Sequence, residues 1–215
     1  MKICCIADIH ENYDFEVPDC DLVLIAGDIF GHPSFGIQLF WMNLFEKFVD
    51  KIEQRGIQWL MTPGNHDTIF EPNCYHLVPD RIKSRCLIDK HMRYFFTNED
   101  YVCSSINIYG SPWQPTFRDW SFNLDEPDLE RKWSMIPDTT EILLLHGPPY
   151  GILDCNLGSP SLAARISDLK NLKLCVFGHI HYGHGYKIIN GVQFVNAAMC
   201  NNSNVLIHQP TMIEL

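Results

Sequence analysis

Five short apolar runs each end in a polar block rich in carboxylate and imidazole side chains. That repetition constrains the fold more than any other feature of the chain. Residues 2–7 close on Asp8-Ile9-His10, residues 21–26 on Gly27-Asp28, and residues 57–61 on a block containing Gly64-Asn65-His66-Asp67. Residues 141–145 close on His146-Gly147, and residues 172–177 on Gly178-His179-Ile180-His181. Short runs of this kind, bounded by turn residues, read as buried strands. In α/β sheets the loops beyond the carboxyl ends of strands line the ligand crevice, so five separated blocks can converge on one point.

The segments between agree with a sheet protein carrying helices on its faces. Ile37, Trp41, Leu44, Phe48 and Ile52 recur at helical spacing and Gly56 stops the pattern, predicting a core-facing helix over 37–52. Residues 80–113 alternate weakly and are read as strands of a second sheet. Residues 111–137 are read as a long ordered loop with one short helix, residues 161–169 as a helix capped by serine, and the tail as two strands near 192–196 and 205–207. No repeat, low-complexity tract or Gly/Ser linker divides the chain, so the expectation is one domain over 1–215. Its fold class is α/β, an α+β sandwich of two stacked mixed sheets flanked by helices.

Composition narrows the function. Sixteen basic against 26 acidic residues leave a net charge of −10, which argues against a long nucleic acid as partner, since that needs a basic face. No stretch approaches the ~20 apolar residues of a membrane span. The start MKICCIA is too short for a signal peptide. Nine cysteines without metal or framework spacing are read as reduced thiols in a cytoplasmic protein.

The donors within the five blocks are carboxylate, imidazole and one carboxamide, without thiolate. That set suits Mn, Fe or Zn better than Ca or Cu(I). In an extended segment residues i and i+2 point to one side, so Asp8 with His10, and His179 with His181, can each reach one cluster. Gly27, Gly64 and Gly178 remove side chains just before the donors and allow close backbone approach. Seven donors exceed one tetrahedral ion and suit two divalent ions ~3.5–4 Å apart with a bridging carboxylate. Any single Asp or Asn here is as well explained as a turn cap; the ordered set is not.

The order D-x-H, G-D, G-N-H-D, H, G-H-x-H over residues 8–181 resembles the calcineurin-like metallophosphoesterases. Ile108–Pro112, FRDWSFN, HGPP with Tyr150-Gly151, VFGHIHYGHG and VNAAMC are similar to the small metallophosphoesterase-domain-containing phosphodiesterases. The resemblance implies a four-layer fold and two divalent metal ions, with manganese favoured for activity. It implies that Asp8, His10 and His181 hold one ion, Asn65, His146 and His179 the other, and that Asp28 bridges. Some members of that subfamily carry glycine at the position of His179; this chain has the imidazole, which implies a complete second site. The substrate implied is a small phosphoester, a nucleotide or cyclic nucleotide in particular, attacked by a water that the two ions activate. His66 is implied as the acid or transition-state stabiliser, with Asp67 either orienting it or solvated.

Further residues carry two readings each. Trp113, Phe117 and Trp120 either stack on a nucleobase or pack the long loop. Arg118 is either a phosphate fork or half of a surface pair with Asp119. Asp154 and Ser159 are candidate cleft wall, and His184 either lines the cleft or does not; His32, His76, His91 and His208 have no motif context. A protein Ser/Thr phosphatase fits less well, because Asp28 precedes IFGHPS and Asp67 stands where those proteins have Glu. The alternative from another class is a protein-binding scaffold with a catalytically weak metallophosphoesterase fold, a class that loses metal ligands this chain keeps. Oligomeric state leaves no signal in the sequence.

Overall fold

A computed structural model describes residues 1–97 and 103–215. Strands β1 (Lys2–Ile6), β2 (Leu22–Ala26) and β3 (Gln58–Thr62) follow the first three apolar runs, with helix α1 (Phe35–Gln54) between the second and third. Next come α2 (Asp80–Arg85), β4 (Lys90–Thr97), β5 (Cys103–Ser111), two-residue strands β6 (Gln114–Pro115) and β7 (Asn123–Leu124), and α3 (Glu126–Trp133). The chain ends with β8 (Ile142–Leu145), α4 (Pro160–Asp168), β9 (Leu174–Phe177), β10 (Gly185–Ile189), β11 (Val192–Asn196) and β12 (Thr211–Glu214).

Two mixed sheets result. One has the order β12-β1-β2-β3, the other β10-β11-β9-β8-β5-β4. In each, a parallel interior carries antiparallel strands at its edge: β12 on β1, and β4 and β10 on the larger sheet. The parallel strands are apolar on both faces, as expected for strands covered on both sides. Three apolar layers follow. Cys4, Val23, Trp59 and Met61 pack against Met42, Phe45, Val49 and Ile52 of α1. Ile3, Leu24 and Leu60 meet Ile108, Leu144 and Val176 between the sheets. Leu143, Leu145, Cys175 and Phe177 meet Leu129 and Trp133 of α3 and Leu162 and Ile166 of α4. The layers therefore run helix, sheet, sheet, helix.

At the carboxyl ends of the parallel strands the two sheets are stitched together. Ala7 N donates to Ala197 O at 2.9 Å and Met199 N to Ala7 O at 2.9 Å, so the chain leaving β1 bridges to the chain leaving β11. The loops after β1, β2 and β3 are thereby brought against those after β8 and β9. Helix α4 starts as its sequence predicts: Ser159 Oγ accepts from Leu162 N at 3.2 Å and proline occupies the first turn.

Three sequence expectations are corrected. The buried stripe of α1 is Gln38, Met42, Phe45, Phe48, Val49 and Ile52. Ile37 is exposed and Trp41 and Leu44 are only half-buried, because the helix turns its N-terminal half outward. Within 80–113, residues 80–85 are helix α2; residues 98–102 of that stretch lie outside the described residues. Residues 205–207 form no strand: Leu206 makes a lone bridge to Cys200, and Val205 and Ile207 point into solvent. Besides β11, the tail strands are β10 and β12. Both are edge strands, and the Ile188 side chain of β10 is mostly exposed, so neither shows the burial pattern that sequence reading seeks.

Candidate metal centre and its cleft

The seven donors expected from the sequence meet where the sheets join, in two clusters with Asp28 between them. In the first, His181 Nε2 lies 3.4 Å from Asp8 Oδ1 and 3.2 Å from His10 Nε2. In the second, Asn65 Oδ1 lies 2.9 Å from His146 Nε2 and 2.7 Å from His179 Nδ1. Asp28 turns one oxygen to each side: Oδ2 is 4.0 Å from His10 Nε2, and Oδ1 is 3.5 Å from His146 Nε2.

Backbone geometry makes this convergence possible. Asp8, His10, Asp28 and His179 all adopt positive φ, at 50, 43, 53 and 66°. Asp and His are among the residues that tolerate the left-handed region best. These segments are therefore not extended, and the expected i, i+2 alternation does not apply: His179 and His181 diverge to different clusters. The glycines supply room. A Cβ on Gly178 would stand 2.1 Å from Asp8 Oδ2, and one on Gly64 would stand 2.2 Å from Asp28 Oδ1.

The donor set fits divalent cations. Nδ1 of His10, His66 and His146 faces the carbonyls of Phe30, Gly31 and Ala26 at 3.1, 2.9 and 2.9 Å. A carbonyl only accepts, so Nδ1 carries the proton and Nε2 offers a lone pair, the arrangement usual for metal-bound histidine. His146 Nε2 and Asn65 Oδ1 are then two acceptors facing each other across 2.9 Å. Donors ~2.0–2.2 Å from a shared ion have about that mutual spacing. Asp8 and Asp28 are buried, and among the described residues neither pairs with a Lys or Arg. Two buried carboxylates call for imported positive charge.

Protonation differs across the centre. Burial opposes charge on His181, but the Asp8 carboxylate prevails and raises it to about 8. Burial and the neighbouring His146 push His179 down to about 4. Burial also lowers His10, outweighing the two aspartates. Asp8 and Asp28 are held below the usual carboxylate range: burial opposes this, but the surrounding imidazoles win, His181 foremost for Asp8 and His146 for Asp28.

His66 stands beside the donors with Nε2 3.9 Å from Asp28 Oδ2. Its main-chain N–H donates to Asp28 Oδ1 at 2.8 Å, and its carbonyl accepts from Gln38 Nε2 at 2.5 Å. Asp67 does not reach the imidazole. Its buried carboxyl accepts from the N–H groups of Gly64 at 2.8 Å, Phe30 at 3.0 Å and Ile29 at 3.4 Å, clasping the Asp28 loop to the Asn65 loop. Burial and the charge of Asp28 push that carboxyl well up.

The cleft over the centre has a volume of about 630 Å³ and includes Asp28, Asn65, His66, His179 and His181. Its walls bring in Phe117, Arg118, Trp120, Leu157, Tyr182 and two asparagines, Asn202 and Asn204. Arg118 lies over the Phe117 ring at 5.2 Å and, among the described residues, forms no ion pair with Asp119. Four candidate cleft residues lie elsewhere. Trp113 gives its indole N–H to Asp89 at 2.9 Å under the Lys132 ammonium, so it packs the long loop. Asp154 is buried and accepts from Gly151 N and Gly158 N, closing a turn. His184 stacks on His208 at 3.8 Å and 5°. Ser159 is likewise spent, on Leu162 N and the Trp133 indole. Gln38 went unnoticed in the sequence, although a polar residue in register with Met42, Phe45, Val49 and Ile52 is the signal for it. Asn202 and Asn204 carry no motif.

A model of the calcineurin-like phosphoesterase family matches residues 1–183. The chain belongs to that family. It is 29% identical over 239 residues to metallophosphoesterase domain-containing protein 1 of Homo sapiens, covering all of this chain and 71% of that protein. It is 26% identical over 174 residues to a 3',5'-cyclic-nucleotide phosphodiesterase of Nostoc, covering 76% of this chain and 57% of that one. Among solved structures, a dimetal phosphatase from Danio rerio superposes with a TM-score of 0.51 at 9% identity, covering 91% of this chain and 86% of that one; this likeness concerns the fold. The family acts on phosphoesters, and among the described residues no helix is long and apolar enough to cross a membrane.

Proposed function

We propose that the chain, acting as one domain over 1–215, is a two-metal phosphodiesterase of small phosphodiesters, nucleotides and cyclic nucleotides among them. The observation that carries this is the pair of donor clusters sharing Asp28 at the floor of the cleft. Asp8, His10 and His181 would hold one divalent ion and Asn65, His146 and His179 the other, with Asp28 placed to serve both. The nitrogen and oxygen donors suit manganese, iron or zinc, with manganese favoured for activity. When bound, the two ions supply an activated water near neutral pH and neutralise charge on the phosphoryl oxygens.

The protein's own groups complete the chemistry. With Nδ1 of His66 committed to Gly31, a second proton on Nε2 is the one available to the leaving oxygen as its bond to phosphorus breaks. Gln38 and Asp28 hold the His66 backbone; Asp67 holds the two loops in register. Among the described residues Arg118 is the single Lys or Arg on the cleft wall, which matches the one charge of a diester better than the two of a monoester. Exposed Phe117 and Tyr182 at the rim offer stacking faces to a base, and the Nostoc relative supports the same class. Nine free cysteines support a reducing, cytoplasmic setting. The complete donor set weighs against a scaffold.

The test is hydrolysis of bis-p-nitrophenyl phosphate with and without Mn²⁺, followed by a panel of mono-, di- and cyclic phosphates. Metal-dependent turnover strongest on diesters is expected. Absence of metal-dependent turnover on every ester would overturn the enzyme reading, and a monoester preference would overturn the substrate class.

A further inference from the structure

We propose that Trp120 is the positioning residue for His66: its indole packs on the imidazole and fixes the direction of Nε2. This rests on the reading of His66 as proton donor to the leaving group. The ring centroids of His66 and Trp120 are 4.0 Å apart with planes 33° from parallel. On another side His10 meets the same imidazole edge-on, at 4.8 Å and 71°. The hydrogen bond from Nδ1 to Gly31 pins one ring atom, but a ring held at one atom still rocks about that bond. A face-packed indole on one side and an imidazole edge on another remove the rocking. Nε2 is left aimed past Asp28 into the cleft.

The loop that presents Trp120 is built to hold it still. Between β6 and β7, the Asn123 carboxamide accepts from Phe117 N at 3.3 Å and donates to the carbonyls of Phe117 and Arg118 at 3.2 and 3.1 Å. Gln114 Nε2 donates to Ser121 O at 3.0 Å. Ser121, next to the indole, donates its N–H to Asn65 O at 3.2 Å and its hydroxyl to Thr68 Oγ1 at 3.1 Å. The loop is thus tied to both flanks of His66, and indole and imidazole move as one unit. Among the described residues the Trp120 N–H has no protein partner, so stacking on His66 is the contact its position serves.

The experiment compares two esters of similar size, ethyl p-nitrophenyl phosphate and ethyl phenyl phosphate, on Mn-loaded protein. p-Nitrophenolate leaves without a proton, whereas phenolate benefits from one. His66→Ala should raise the ratio of the two kcat values. Trp120→Ala should raise it in the same direction, by up to about 100-fold through misplacement of the donor, with KM and the count of two bound ions unchanged. Trp120→Phe should restore most of the wild-type ratio. Should Trp120→Ala unfold, Trp120→Leu, which keeps part of the apolar bulk without an aromatic face, carries the same test. A wild-type ratio in the Trp120 variants while His66→Ala raises it would overturn this inference alone, as would an effect confined to KM, which would make the indole a substrate surface. An unchanged ratio in His66→Ala would overturn the donor reading itself, and the positioning role with it.

Discussion

The two donor clusters share Asp28 and a common floor, yet burial and charge act on their imidazoles in opposite ways. Asp8, His10 and His181 include a carboxylate, and that carboxylate raises His181 to about 8, so at neutral pH this half already holds a proton. Asn65, His146 and His179 contain no carboxylate, and His179 is pushed down to about 4 by burial and His146. One half would exchange a proton for an ion; in the other, His179 would offer an uncharged nitrogen throughout the physiological range. A donor's charge therefore governs what an ion must displace, as well as how strongly it is held.

The bridge is the most drastic place to break this comparison. Asp28→Ala removes the one donor both halves share, and turnover of bis-p-nitrophenyl phosphate should fall by about 10³-fold or more, from several kcal/mol of lost charge stabilisation. Elemental analysis should show both ions depleted; retention of one at full occupancy would show that the halves are independent.

Removing one half at a time sharpens the contrast. His146→Ala should leave the half that contains His181, and His181→Ala the half that contains His179. Below a pH of about 8 protons compete for His181, so Mn²⁺ affinity of His146→Ala should fall at a rate approaching tenfold per unit, about 50-fold from pH 8 to 6. Mn²⁺ affinity of His181→Ala should fall less over that interval, because His179 stays unprotonated until about 4. Calorimetric titration reads both, and equal pH slopes would erase the distinction.

The smallest effect should come from Asp67→Ala. Its carboxyl accepts from N–H groups on the loops of both Asp28 and Asn65, so losing it strands buried donors. Urea denaturation of the metal-free protein should show a loss of about 1–3 kcal/mol, with both halves weakened alike. If only the half holding Asn65 weakens, Asp67 acts locally.

Much of the site was legible because parallel strands buried on both faces read as unbroken apolar runs, each ending where the chain turns polar. That marked the loops and most of their donors. Which donor joins which half was not legible from spacing, since His179 at φ 66° breaks the alternation that an extended segment would impose; only the family resemblance separates it from His181. Adjacency in sequence also misled: Asp67 follows His66 but points away from its ring toward Gly64, Ile29 and Phe30. On either side of β6, Trp113 and Trp120 look equivalent as residues. Positive φ at Arg118 and Phe122 leaves no period from which to infer that only Trp120 enters the cleft. On α1, the apolar residues chosen by spacing gave the right helix and shared Phe48 and Ile52 with the true stripe, but were offset from it toward the N-terminus, and so hid Gln38.

The left-handed backbone at Asp8, His10, Asp28 and His179 has a consequence for how such a chain changes over time. Each of these conformations costs a residue with a side chain on the order of 1–2 kcal/mol, against a total stability of ordinary domains of only about 5–15 kcal/mol. Glycine at any of the four relieves that cost and removes a donor in the same step. Drift toward a sturdier protein and drift toward an inert one thus follow the same path. A copy released from selection for turnover would be expected to lose its centre first, while its sheets endure.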